Sequence, residues 1–263
     1  MTDTTILGGL DPELVDRVVS RRDALRETGR RAGLLAVASM PVLFGVMAKK
    51  AFAQGGIPAD IITVLNFALT LEYLEADFYQ TGLPTVDVGE ARPIFEQIRN
   101  HEVAHVALLE GLLGENAIVK PTFDFTAGGA FNDVFSNPGT FITVAQALED
   151  TGVRAYKGQA AALIAEDQVL TTALRIHSVE ARHAAAIRRL SQSPAAKAWI
   201  TGNDGAPTAL APVYAGEENT TQLGIDLLPF GSADRVSEAF DEPLTRAEVL
   251  AIVVPFGVPP DPE

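Results

Sequence analysis

The stretch NHEVAHVALLEGLL, Asn100 to Leu113, has the apolar periodicity of an amphipathic helix, yet Glu102 and His105 fall on its apolar stripe, between Ile98 and Leu109. A carboxylate turned toward a core carries a heavy desolvation cost unless something there compensates it. The same interruption returns in IHSVEARHAAAIRRL, Ile176 to Leu190, where Glu180 and His183 repeat the Glu-x-x-His spacing.

Working outward from these two helices exposes an internal repeat. Glu72 is followed seven residues later by Tyr79, and Glu149 by Tyr156. The offset between halves is 77 for the Glu and Tyr positions and 78 for the Glu-x-x-His pairs. Residues three apart share a helix face, so each Glu and its His converge. Seven residues make almost two turns, which puts each Tyr on the stripe of its Glu.

The sequence between these motifs predicts four long helices. The first starts near Pro58 and runs to about Tyr79, the second covers Pro93 to Leu113, the third Phe141 to Ile164, and the fourth Asp167 to Ser191. Gly114–Gly139 is broken by glycine, proline and asparagine and reads as a long connection. The fold class is therefore all-α, a four-helix bundle with one long middle crossover. Beyond Pro194 comes a C-terminal extension in which Thr245 and Glu248 make a capping-box pattern ahead of a short helix stopped at Pro255. The expected organisation is a targeting segment at 1–53, the bundle at 54–192, and an extension at 193–263 packed on the bundle.

Four inward helices carrying these motifs bring together Glu72, Glu102, His105, Glu149, Glu180 and His183. One Glu from each of two helices plus Glu-x-x-His from each of the other two is the donor set of di-iron and di-manganese carboxylate bundles. Two divalent ions bring four positive charges, which balance four glutamates, and neutral imidazoles complete the coordination. The expected cofactors are two divalent ions, Fe or Mn. Glu75 competes with Glu72 for the first helix; Glu72 is preferred for its repeat partner and its tyrosine, leaving Glu75 in a supporting or solvated place. Asp150 is rotated about 100° from Glu149 and reads as exposed. His101 and His177 lack histidine counterparts in the other half and read as surface or capping residues.

Composition narrows the functions further. There is no cysteine, which excludes disulfides, thiolate sites and cysteine nucleophiles. The net charge is −14, and residues 1–53 hold 8 of the 20 Lys/Arg and 6 of the 34 Asp/Glu. The remainder is thus strongly acidic, which argues against nucleic acid as a partner. Ser20-Arg21-Arg22, an uncharged run from Ala32 to Ala48, and Ala51-Phe52-Ala53 stand in the order of an export signal resembling the twin-arginine type. That order predicts a periplasmic or extracellular protein, membrane-attached only if the segment is retained.

With those residues in place, the chain resembles the ferritin-like superfamily, and more narrowly the ferritin-like domain family that includes desiccation-related proteins. The resemblance rests on LNFALTLEYLEADFY, HEVAHVALLEGLL, PTFDF, ALEDTGVRAYKG and SVEARHAAAIRRL, spans about Gly55 to Ser191, and extends to the tail AFDEPLTRAEVLAIVVPF. It implies that Glu102 and Glu180 bridge two ions while Glu72 and Glu149 each hold one. It also implies that Tyr79 and Tyr156 hydrogen-bond ligand carboxylates in the catalytic surroundings. Many oxygen-activating relatives place Asp before the Glu of Glu-x-x-His; here His101 and Val179 stand there. The expected activity is redox chemistry with iron, O2 or H2O2 in oxidative-stress protection. The alternative is a non-enzymatic stress-related scaffold with a structural or vestigial metal site. Bulk iron storage in a cage fits the long crossover and extension less well, and a homo-oligomer remains compatible.

Overall fold

The computed structural model describes residues 56–190, 197–203 and 207–260. The export segment expected at 1–53 lies outside the described residues. Among those described, no helix is long and apolar enough to cross a membrane.

Four long helices form the body: α1, Ala59–Gly82; α2, Arg92–Leu113; α3, Pro138–Gln159; and α4, Asp167–Arg188. Pro58 precedes α1 in extended geometry and its carbonyl accepts the Ile62 N–H at 2.9 Å. Asn137 caps α3 by accepting from Gly139 N, with Pro138 in the first turn, where a missing N–H costs nothing. The third helix was expected to reach Ile164, but the α-helix stops at Gln159 and tightens into a 3-10 turn over Ala160–Leu163. That tightening turns the chain toward α4 within a few residues.

The helices are not equivalent. Most of α1 is buried, and α3 is buried continuously from Ala147 to Tyr156. In α2 and α4 burial is confined to a stripe, Phe95, Ile98, Glu102, Leu109 and Leu113 in one, Val169, Ala173, Ile176, Glu180, His183, Ala184, Ile187 and Arg188 in the other. So α1 and α3 sit centrally, and the amphipathic pair lies outside them. Each half is a helical hairpin, α1 packing chiefly on α2 and α3 on α4.

Two apolar clusters lie at opposite ends of the bundle. One gathers Phe78, Phe95, Phe141, Leu148 and Ile187; the other gathers Ile61, Leu65, Leu109, Leu113, Val169 and Ile176. Following each helix from cluster to cluster gives its direction: α2 and α3 run the same way, so the chain must return along the bundle between them. Residues 114–137 make that return and leave Phe125, Phe131 and Val134 in the first cluster. Phe78 stacks on Phe141 with centroids 4.8 Å apart, and Phe95 meets Phe141 edge-on at 5.3 Å. Each such pair adds about 0.5–1.5 kcal/mol beyond area burial. Between the clusters lies the polar layer that carries the motifs.

The extension joins this core. It comprises a 3-10 stretch at Thr208–Tyr214, a small hairpin of β1 (Thr221–Gln222) and β2 (Ile225–Asp226), and helices α5 (Ala233–Ser237) and α6 (Arg246–Val253). The capping box is present, with the Thr245 side chain accepting from Glu248 N and the Glu248 carboxylate accepting from Thr245 N. Val213, Tyr214, Leu244, Val249, Val253 and Phe256 are buried in the first cluster. At Gly158 a Cβ would lie 1.8 Å from the Leu244 carbonyl oxygen, so this backbone approach needs glycine.

Arg154 fixes the extension to α3. Its side chain is 1% exposed and donates to the carbonyls of Glu242 (2.8 Å), Ala215 (2.6 Å) and Val213, while pairing with Glu217 at 3.0 Å. Asp150, expected to be exposed, is 3% exposed. It pairs with Arg188 and accepts from the Tyr214 hydroxyl at 2.7 Å. It points away from Glu149, as the 100° step along the helix requires, but that direction faces α4 and the extension, not solvent.

Candidate metal centre

The repeated motifs meet in the polar layer. Glu72 from α1, Glu102 from α2, Glu149 from α3 and Glu180 from α4 are all fully buried. His105 Nδ1 lies 3.2 Å from Glu72 Oε2, 3.1 Å from Glu102 Oε2 and 3.0 Å from Glu180 Oε1. His183 Nδ1 lies 2.8 Å from Glu102 Oε1, 3.0 Å from Glu149 Oε2 and 3.4 Å from Glu180 Oε2.

The six residues divide into two overlapping groups that could each hold an ion. One is Glu72, Glu102, His105 and Glu180; the other is Glu102, Glu149, Glu180 and His183, the donor atoms of each within 4.8 Å of one another. Glu102 and Glu180 are shared, and the remaining members split by half of the repeat. The structure thus brings all six predicted residues together.

Tyr79 and Tyr156 also reach the cluster, but each across the repeat. Tyr79 donates to Glu149 Oε1 and Tyr156 to Glu72 Oε1, both at 2.5 Å. Each tyrosine on the stripe of its own Glu therefore orients the Glu of the opposite half. Burial and the accepting carboxylate raise both phenol pKa values, so the hydroxyls stay protonated and donate.

The donor set fits divalent cations on two counts. Glu102 Oε1 and both oxygens of Glu180 are buried without a hydrogen-bond partner, although the histidine nitrogens are close. Orphaned buried carboxylate oxygens are costly and call for positive charge. The oxygen-rich set with one imidazole per group suits hard or borderline metals such as iron and manganese.

The electrostatics express the same demand. Burial alone would lower His105, but Glu72 and its neighbours outweigh it and raise the imidazole far above its usual range. Burial likewise opposes charge on His183, which the carboxylates nonetheless push up to about 12. Burial raises Glu72 to about 8 despite His105. Burial opposes ionisation of Glu180 too, but the close approach of the His105 and His183 imidazoles, at 3.0 and 3.4 Å, holds it down at about 2. An ion taking these donor atoms displaces protons, so uptake strengthens as pH rises.

His101 corrects the sequence reading. It was expected at the surface, but its Nδ1 lies 2.8 Å from His183 Nε2 and the two rings stack at 5.1 Å. Its Nε2 contacts Gln97 at 2.7 Å. Burial and the neighbouring histidines lower its pKa, which keeps it neutral. With the Gln97 amide turned so that its oxygen faces Nε2, a neutral His101 carries its proton there, accepts at Nδ1 from His183 Nε2–H and leaves Nδ1 of His183 free for an ion. The clue in the sequence is its place directly before Glu102; Val179 at the matching place in the other half gives no sign of it. His101→Ala is expected to weaken uptake by the His183 group about 10–100-fold and spare the His105 group, while His101→Asp retains affinity, as measured by Mn2+ calorimetry. His177 is also part-buried, its Nδ1 3.0 Å from the Val153 carbonyl.

Glu75 is not solvated either. It is 3% exposed and approaches the cluster from α1.

A family model described as a ferritin-like domain matches residues 60–193. No curated protein and no solved structure matches the chain.

Proposed function

From a chain that belongs to the ferritin-like domain family, we propose a di-metal carboxylate protein that uses two iron or manganese ions for redox chemistry with Fe2+, O2 or H2O2. The observation that carries this reading is the pair of overlapping groups sharing Glu102 and Glu180. Two ions bound there would supply the electrons for oxidant reduction. The chain's own part is positional. Glu102 and Glu180 hold both ions together, and Tyr79 and Tyr156 fix the outer carboxylates so that Glu72 and Glu149 keep their orientation. The two apolar clusters exclude water above and below the layer.

Two further features fit an oxidising task. The chain after Ala53 holds no cysteine and no methionine, the side chains most readily oxidised. The proposed setting is outside the cytoplasm, in protection from oxidative stress, supported by the export-signal pattern of residues 1–53. The second reading, a stress-related scaffold with metal held for stability, is favoured by His101 and Val179, which stand before the two Glu-x-x-His glutamates where many oxygen-activating relatives place Asp.

Anaerobic loading with Fe2+, followed by admission of oxygen at an electrode, separates the two. The redox reading expects uptake of two Fe2+ per chain and oxygen consumption well above the buffer rate. Uptake with no consumption beyond buffer would leave the scaffold.

A further inference from the structure

A cavity of about 20 Å³ lies within the second apolar cluster, walled by side chains from all four long helices. That is room for one small molecule. Its wall is almost wholly carbon. Tyr156, Gln159 and Thr172 are its polar side chains, and the Tyr156 hydroxyl is already engaged with Glu72 at 2.5 Å. Apolar cavities of this kind stay dry, because water entering them gives up hydrogen bonds without replacement.

Helical register ties the cavity to one ion position and not to both. Of its lining residues, Ala68 lies one turn before Glu72 on α1, and Leu109 one turn beyond His105 on α2. On α4, Ile176 lies one turn before Glu180. Those three ligand positions, with Glu102, make up one of the two donor groups. The residues peculiar to the other group stand further off: Glu149 is nearly two turns before Ala155, the first cavity residue of α3, and His183 about two turns beyond Ile176. At the opposite end of the bundle Phe78, Phe95 and Phe141 pack ring on ring.

We propose that this cavity is a binding site for molecular oxygen beside the ion held by Glu72 and His105, so that the two ions are unequal and O2, not H2O2, is the oxidant served. This rests on the di-metal reading above. An apolar diatomic gas enters a carbon-walled space without losing hydrogen bonds, whereas hydrogen peroxide would leave its O–H groups unpaired there. The half-buried Val64, Gln159 and Thr172 bring the outer side of the cavity to the surface. The buried Leu71 and Ile176 carry its inner side to the polar layer. Ala68 and Ala173 line it from α1 and α4, and a larger aliphatic side chain at either would fill it.

Dissolved O2 is paramagnetic and speeds the relaxation of methyl signals beside which it dwells, which tests the site without metal or turnover. In the metal-free full chain under oxygen, the methyls of Leu65, Leu109 and Ile176 are expected to relax more than about twofold faster than those of Leu148 and Ile187, equally buried in the first cluster. Ala173→Leu is expected to remove the excess. Loaded with Fe2+, the same variant is expected to react about tenfold more slowly than wild type at low oxygen, the deficit closing as oxygen rises, the mark of lost binding and not of lost chemistry. Ala68→Leu fills the space from α1 and should repeat both results, so the test does not depend on one variant folding. Equal relaxation in the two clusters of wild type, or an oxygen dependence unchanged in both filled variants, would overturn the gas site and leave the di-metal reading standing. A wild type that shows the excess relaxation but takes up no Fe2+ would overturn the di-metal reading and the proposed role with it.

Discussion

Alanine at Glu102 or at Glu180 is expected to abolish uptake of both ions, whereas alanine at Glu72 or Glu149 leaves one. The asymmetry follows from membership: Glu102 and Glu180 belong to both groups, while Glu72 with His105 and Glu149 with His183 each belong to one. Losing an outer partner of a ligand costs about 10–100-fold in affinity, so losing a shared direct donor should exceed about 100-fold at each position. Elemental analysis after equilibrium dialysis against Mn2+ reads the pattern as two, one or no ions per chain. The metal-free variants should remain folded, because each removes one of four mutually repelling buried carboxylates. Equal losses in all four variants would contradict the overlapping arrangement.

The second large effect is on stability. Arg154→Ala is expected to destabilise the protein by about 3–5 kcal/mol, since it strands a buried charge. Glu217, 1% exposed, would lose the guanidinium whose Nε lies 3.0 Å from its carboxylate, and three carbonyls would lose their donor. Burial already raises Glu217 to about 7, with Asp241 adding to it and Arg154 opposing. Removing the guanidinium pushes it higher still. For a domain this size the loss corresponds to a fall in Tm of roughly 6–20 °C. Adding Glu217→Gln should recover part of it, because the stranded charge is then gone. A change in Tm of no more than about 2 °C would show that the extension is held by its apolar contacts alone.

The six-residue constellation was legible in the sequence because helical spacing and a repeated motif together fix direction. Glu102 with His105, and Glu180 with His183, could face only the core stripe their neighbours defined. The partners of the tyrosines were not fixed in this way. A shared stripe places Tyr79 near the layer of Glu72, but the hydroxyl extends beyond its own helix, and which carboxylate it meets depends on how α1 packs on α3. Asp150 was misread for a related reason. Its face is polar on the helix alone, and only the extension, brought back by Leu244 and Tyr214, makes it interior. His101 lies nearer the cluster than expected, and of the two places open to Glu75 the solvated one falls away; both residues lack counterparts in the repeat, so the second half offers no sign of where they go.

The central claim is that two ions occupy the layer where α1 to α4 meet. Diffraction from crystals grown with Mn2+, recorded across the manganese absorption edge, tests it most directly. The expected result is two anomalous peaks about 3.5–4 Å apart, both within bonding distance of Glu102 and Glu180. No peak in that layer, or manganese only at acidic side chains on the surface, would contradict it.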